Sequence, residues 1–192
     1  MRVIAGSAKG TPLQTVPGSG TRPVSDRVKE AVFNILGDDV VGSHVLDLFA
    51  GTGSVGIEAL SRGAKQAVFV EKNHRAILTL RANLQRARLQ DRARVIQSDV
   101  FKFLASPAEP FDLIYIAPPQ YQGLWSKTLL ALDGNHAWLP PEGVVIVQIF
   151  PKELGALALA NLSLTEQRKY GSTLLCFYRP LLQDKVDEGQ GH

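Results

Sequence analysis

The sequence predicts an α/β fold: a mostly parallel sheet with crossover helices on both faces, an antiparallel C-terminal hairpin at one edge, and a small N-terminal β-hairpin ahead of it. Three observations carry this expectation. From His44 onward, apolar strand-like runs alternate with helix-like segments, the pattern of successive βα units. The first run leads through a glycine-rich turn into a helix. The last two runs, LTEQRKY and TLLCFYR, are separated only by Gly171 and Ser172, too close for a crossover helix, so they should pair antiparallel. With 192 residues, 45% hydrophobic and 20% charged, the chain has the composition of a globular protein with one substantial core.

The elements follow in order. VIAGSAKGTPLQTV reads as two short strands around a Gly/Lys turn, so residues 1–24 form a hairpin extension and residues 25–182 the main domain. In SGTRPVSDRVKEAVFNIL a loop enters a helix, with Ser25 as N-cap and Val28, Val32, Ile35 and Leu36 as the core-facing stripe. HVLDLF is then followed by the helical GIEALSRG. AVFVE is followed by a helix from Asn73 to Ala87, whose Ile77, Leu80, Leu84 and Ala87 share one face. ARVIQ leads to VFKFLA, FDLIYI to a helix around Trp125 to Leu132, and GVVIVQIF to the closing hairpin. The last ten residues, QDKVDEGQGH, form a polar tail expected to fray.

A single cysteine, Cys176, excludes an internal disulfide and lies within an apolar run, where it reads as a core residue. The N-terminus lacks the apolar core of a secretory signal and no run is long enough to cross a bilayer, so a reducing, cytoplasmic setting is expected. His44, His74, His136 and His192 show no ligand spacing, and no metal is expected. The formal net charge of +3 is concentrated at one end, where Arg2, Lys9, Arg22, Arg27 and Lys29 stand against only Asp26 and Glu30. A localised basic end favours a polyanion such as RNA; the alternative is an ordinary solvated surface.

The strongest local signal is DLFAGTGSVGIEA, where Gly51, Gly53 and Gly56 fit G-x-G-x-x-G between strand and helix and Glu71 ends the next strand. This setting points to a nucleotide-containing cofactor; the alternative is a tight turn kept for packing. Asp47, just before the turn, selects among cofactors. A pyrophosphate there would meet like charge, whereas S-adenosylmethionine has no phosphate and carries an ammonium and a sulfonium that a carboxylate attracts. Asp47 therefore favours the methyl donor over NAD, the alternative being an Asp bonded to the loop amides. Glu71 can accept from both hydroxyls of a ribose. Asp99 can accept from an adenine amino group while the neighbouring backbone pairs with the ring, or it can cap the helix that begins at VFKFL. At successive strand ends, the three acids outline an adenosyl pocket.

With these residues in hand, the chain resembles the bacterial RNA methyltransferases that modify the exocyclic N2 amine of a guanine in small-subunit (16S) ribosomal RNA. The likeness spans nearly the whole chain: RVIAGSAKGTPL, TRPVSDRVKEAVFNIL, VLDLFAGTGSVGIEALSRGA, FVEK, SDVF and KYGSTLLCFYR. It implies a seven-stranded Rossmann-like methyltransferase sheet with an N-terminal hairpin extension. It implies a cofactor site of Asp47, Phe49, Gly51, Gly53, Glu71, Lys72, Asp99 and Val100, and RNA docking by Arg2, Lys9, Arg22, Arg27 and Lys29. For Arg27 an intramolecular pair with Asp26 or Glu30 is the alternative. The implied partner of a monomeric protein is ribosomal RNA or a small-subunit assembly particle.

The chain departs from this family at one corner. Amine methyltransferases of this kind carry (Asp or Asn)-Pro-Pro-(Tyr or Phe) after the fourth strand, and here the residues are Ala117, Pro118, Pro119 and Gln120, followed by Tyr121. Acceptors aimed at the two N–H bonds of an exocyclic amine stabilise its developing positive charge and fix the nitrogen in line with the sulfonium. Ala117 offers no side-chain oxygen, and losing such an acceptor costs about 10²–10³ in rate. What remains are backbone carbonyls directed by the prolines, the amide oxygen of Gln120, and the ring of Tyr121 for stacking on an extruded base. Three readings follow: a weakened N2-methyltransferase, a binding-only relative, or an enzyme for a different amine such as adenine.

Overall fold

The computed structural model describes residues 1–18 and 23–182, so Arg22 and the tail 183–192 lie outside the described residues. Seven strands form one sheet in the order β3-β2-β1-β4-β5-β7-β6: β1 His44–Leu48, β2 Gln66–Glu71, β3 Ala93–Gln97, β4 Leu113–Ile116, β5 Val144–Ile149, β6 Leu162–Tyr170 and β7 Thr173–Pro180. The first five are parallel, and β7 inserts antiparallel between β5 and β6 as the expected hairpin. Among the described residues five α-helices cover the sheet: α1 Asp26–Leu36, α2 Ser54–Ser61, α3 His74–Ala87, α4 Val100–Leu104 and α5 Leu124–Asp133. Among the described residues, no helix is long and apolar enough to cross a membrane.

The apolar runs read as strands because the sheet is buried on both faces. Val45, Phe69, Leu113, Tyr115 and Ile146 join one core under α1, α2 and α3. Their neighbours Leu46, Val68, Ile114, Ile116 and Val147 join a second core under α4 and α5. Cys176 is fully buried on β7, where burial pushes its thiol up to about 11. Ser25 caps α1 as expected, accepting from the Val28 N–H, and Asn73, read as the first residue of its helix, is instead the N-cap of α3, accepting from the Arg75 and Ala76 N–H groups. The α3 stripe of Ile77, Leu80, Leu84 and Ala87 is buried, while in α1 Ile35 is only half-buried and Phe33 takes a core position beside Val28, Val32 and Leu36.

The N-terminal extension differs from expectation. Instead of two strands it makes a single antiparallel bridge, Arg2 to Pro12, around Gly6 and Gly10. Val3 donates to the Thr11 carbonyl, Gly10 to that of Val3 and Leu13 to that of Met1 across the two arms, while donors of the turn between them are directed at α2. Ile4 and Ala5 donate to the Glu58 carboxylate, Ser7 to the Ser61 carbonyl, and Ala8 to Ser61 Oγ. Gly6 is pressed so closely to α2 that a Cβ there would lie 1.9 Å from the Ser61 carbonyl oxygen.

Strand order fixes where a ligand can sit. Progression from β1 runs outward to β2 and β3, then reverses across β1 to β4 and β5, so a crevice opens at the carboxyl ends of β1 and β4. In open α/β sheets this switch point is where ligands bind. The loops that emerge there are residues 49–53 and 117–121.

Candidate functional site

After β1 the backbone takes three left-handed steps within five residues, at Phe49 (φ 60°), Gly51 (φ 56°) and Gly53 (φ 79°). A left-handed phenylalanine is uncommon and strained, a conformation that persists where surrounding structure enforces it. The glycines have different reasons to be glycine. At Gly51 an added Cβ would meet nothing within 4 Å, so only the φ requires it. At Gly53 a Cβ would lie 2.0 Å from Leu80 Cδ1 of α3. At Gly56 it would lie 2.3 Å from the Phe69 ring, so this residue lets α2 pack down on β2. Gly53→Ala combines left-handed strain with overpacking and is expected to lower stability by about 2–4 kcal/mol. Gly51→Ala carries the strain alone, about 1–2 kcal/mol. Urea unfolding of the two variants reads the difference.

Three acids stand at the ends of β1, β2 and β3. Asp47 lies under the N-terminus of α2, whose cap residue Gly53 has no side chain; its Oδ2 accepts from the Gly56 N–H at 3.2 Å. Asp47 is only 2% exposed. Burial pushes its carboxyl up to about 8, against the Gly56 hydrogen bond and with the help of the nearby Glu71. Glu71 is half-buried and spans two loops, Oε2 accepting from Gly51 N–H at 2.9 Å and Oε1 from Asn73 N–H at 2.8 Å. Each of its oxygens keeps a further lone pair. Asp99 caps α4, with Oδ1 accepting from Phe101 and Lys102. Lys72 is exposed, and Val100 is buried in the second core, leaving its backbone as the part available to a ligand.

This donor set suits S-adenosylmethionine better than a dinucleotide. Acceptors at consecutive strand ends match ribose hydroxyls and an amino group, and the Glu71 carboxylate, bonded to the Gly51 amide of the glycine loop, stands where a pyrophosphate would be repelled. When bound, the cofactor supplies a methyl group activated by its sulfonium.

At the end of β4, Ala117, Pro118 and Pro119 are half-buried and Gln120 is exposed. Tyr121 is 66% exposed, has φ 57°, and stacks on Phe150 with ring centroids 5.5 Å apart and an interplanar angle of 14°. Glu153 fastens the pair, accepting from the Tyr121 N–H at 2.8 Å and from the Phe150 N–H at 3.0 Å. One ring face of Tyr121 is covered by Phe150, so Tyr121 can offer its other face to a base.

Of the basic residues, Arg2, Lys9 and Arg27 are exposed. Arg2 approaches Asp26 at 3.7 Å, and Arg27 lies over the Tyr170 ring rather than pairing with Asp26 or Glu30. Lys29 is a correction. It is fully buried, donating to the Arg2 carbonyl at 2.6 Å and to Ser54 Oγ at 3.1 Å, and standing 3.4 Å from Glu58. A buried, paired ammonium fastens the extension to the core and does not face a solvent-borne partner.

Two features escaped the sequence reading. Asn83 of α3 is fully buried, accepts from Gln14 N–H, and donates to the carbonyls of Gln14 and of Thr52 in the glycine loop, fixing the extension against that loop. Gln148 accepts from the Tyr115 hydroxyl across β4 and β5. The only signal for it was one polar residue inside the apolar run GVVIVQIF. A cleft of about 530 Å³ lies elsewhere, between residues 154–159 and the β6–β7 hairpin, and shares no residue with the glycine loop or the β4 corner.

Known proteins with this architecture agree with the geometry. The family described as conserved hypothetical protein 95 matches residues 1–179. The chain is 37% identical over 182 residues to YlbH of Bacillus subtilis, named as a candidate rRNA methyltransferase, covering 93% of this chain and 98% of that protein. It is 33% identical over 187 residues to ribosomal RNA small subunit methyltransferase D of Escherichia coli, covering 97% and 93% respectively. The solved structure of the Escherichia coli yhhF protein, described as a candidate methyltransferase, superposes with a TM-score of 0.84 at 34% identity, covering 95% of this chain and 99% of that one. An RNA methyltransferase from Salinibacter ruber shares the fold at 17% identity and a TM-score of 0.65. A full-length family match and relatives at this identity, on a glycine loop ringed by three acids, decide the assignment: this chain belongs to the conserved hypothetical protein 95 family, S-adenosylmethionine-dependent methyltransferases related to ribosomal RNA small subunit methyltransferase D.

Proposed function

We propose that this chain transfers the methyl group of S-adenosylmethionine to the exocyclic N2 amine of a guanine in small-subunit ribosomal RNA. The observation that carries this reading is the convergence of two loops at the switch point: the left-handed glycine loop with its acids, and the Pro-Pro corner with its exposed aromatic ring. Asp47, Glu71 and Asp99 bind and orient the donor. Pro118 and Pro119 hold the backbone carbonyls of the corner in a fixed direction, and Tyr121 on Phe150 supports the extruded base. The reaction takes place in the bacterial cytoplasm on ribosomal RNA or assembling small-subunit particles, one chain per site. Small-subunit particles lacking the modification, incubated with labelled donor and digested to nucleosides, are expected to yield labelled N2-methylguanosine. Label in methyladenosine would move the acceptor to adenine, and no label would favour a binding-only protein.

RNA docking falls to the exposed cations Arg2, Lys9 and Arg27. Each phosphate contact removed should lower the slope of log affinity against log salt by about 0.7–0.9. The Lys9→Ala, Arg27→Ala double variant is therefore expected to bind RNA more weakly with a slope shallower by about 1.5, without a change in the nucleotide modified. Filter binding between 50 and 300 mM salt measures this, and an unaltered slope removes these residues from the interface.

A further inference from the structure

We propose that Gln148, held by Tyr115, is the side-chain acceptor for the substrate amine, supplying from β5 the oxygen that Ala117 lacks on β4. This rests on the amine-methylation reading above and deepens it.

The placement follows from strand register. Ile116 of β4 pairs with Val147 of β5 in parallel, and the next residues along are Ala117 and Gln148. Adjacent parallel strands lie about 4.8 Å apart, so these two positions are neighbours. Ile116 and Val147 point into the second core. Alternation turns the following residues to the opposite face, where Ala117 packs against the first core together with Tyr115 and Ile146. Gln148 therefore projects beside the Ala117 methyl, with a side chain long enough to reach across it. It is half-buried at the strand end where the crevice opens, whereas Tyr115 below it is 2% exposed.

The hydrogen bonding gives the amide a direction. The Tyr115 hydroxyl donates to Gln148 Oε1. Burial, and after it the proximity of Asp47, holds that hydroxyl protonated far above the ordinary phenol range, so it remains a donor. An amide oxygen has two acceptor sites, and Tyr115 occupies one. The other is free for an N–H of the substrate, polarised by the bond it already accepts. Tyr115 pairs in register with Asp47 on β1, and its hydroxyl reaches diagonally past its β5 partner Ile146 to Gln148, so a polar line runs from the donor pocket to the acceptor corner across three adjacent strands. Gln148 does not act as a base. The amine lone pair forms the new N–C bond as the C–S bond breaks, the sulfur keeps that electron pair, and the excess proton on nitrogen leaves to water.

The test uses the full chain with unmodified small-subunit RNA or particles. Gln148→Leu is expected to lower kcat by about 10²-fold, with affinities for S-adenosylmethionine and RNA within threefold of wild type. Gln148→Glu, which keeps an acceptor, should retain at least a tenth of the rate. Tyr115→Phe, which keeps the shape and loses the donor, should lose about tenfold in kcat with KM unchanged. Ala117→Asp placed in Gln148→Leu should restore at least tenfold, because it returns the oxygen from the other strand. Independently of turnover, the Gln148 side-chain amide signal in a ¹H–¹⁵N spectrum, assigned by its loss in Gln148→Leu, should shift when unmodified RNA is added without donor. A wild-type rate in Gln148→Leu, no rescue in a folded double variant, or no shift in that signal would overturn the acceptor assignment while leaving the methyltransferase reading intact. An inactive wild type that still binds donor and RNA would overturn the methylation reading, and this assignment with it.

Discussion

Asp47→Asn is expected to abolish S-adenosylmethionine binding while stabilising the empty protein by about 4 kcal/mol at pH 7. The carboxyl is pushed from its ordinary 3.8 up to about 8, first by burial and then by Glu71, against the Gly56 hydrogen bond. At neutral pH the folded empty protein holds it uncharged, whereas the unfolded chain ionises it. Because the folded-state value is raised, the stability contributed by the neutral form is fully present below about pH 4 and is lost as pH rises through about 8. Asparagine does not titrate and keeps an oxygen for Gly56, so it escapes that loss. Urea unfolding of the two proteins should coincide near pH 4 and diverge steadily up to pH 8. A pH-independent difference would mean that the carboxyl titrates normally. Calorimetry reads the functional half. The ammonium and sulfonium of the donor favour the ionised carboxylate, so binding to wild type at pH 7 should release about one proton, visible as a dependence of the heat on buffer ionisation. Unchanged affinity in Asp47→Asn would remove this residue from the donor site.

The same residue shows what a sequence carries and what it withholds. The glycine loop was legible because left-handed backbone at Gly51 and Gly53, and the close approach of Gly56 to Phe69, leave no other residue a comparable fit. The parallel strands were legible because a sheet buried on both faces makes continuous apolar runs, and the hairpin because two residues cannot span a crossover. The acids were legible as a set, since each ends a strand. Their exposure was not: whether Asp47 faces solvent or an α2 amide depends on how the helix seats on the sheet. Lys29 was misplaced for a related reason. A charge count sees a lysine in a basic segment, but its partner Glu58 lies in another helix. The N-terminal arms pair over one bridge rather than as full strands because Ile4, Ala5 and Ala8, the donors nearest the turn, go to a carboxylate and a serine on α2. Gln148 beside Ala117 is a fact of register between β4 and β5, and no spacing along the chain reports it.

Glu58→Ala should destabilise the protein by about 3–5 kcal/mol, the range for breaking a buried pair by removing one partner. Glu58 is fully buried and accepts from Ile4 N–H at 2.9 Å, Ala5 N–H at 3.1 Å and Arg62 Nε at 2.8 Å, with the Lys29 ammonium 3.4 Å away. Its removal leaves two backbone donors of the extension without their acceptor. It also leaves Lys29 with only the Arg2 carbonyl and Ser54 Oγ. Burial already lowers the Lys29 ammonium below its ordinary range, and Glu58 is the first influence holding it up. Lys29→Met in the Glu58→Ala background should therefore recover part of the lost stability, since the uncompensated charge is gone. Urea midpoints of the single and double variants decide the matter, and a loss under 1 kcal/mol in Glu58→Ala would mean that the extension is fastened by something else. The functional consequence separates this network from the surface cations. Where the extension loosens, RNA affinity should fall, yet donor affinity should stay near wild type because the proposed donor-site acids Asp47, Glu71 and Asp99 are positioned by the sheet ends. Lys29→Met alone should lower stability without changing the salt slope of RNA binding, whereas a lysine in contact with phosphate would change the slope and leave stability alone.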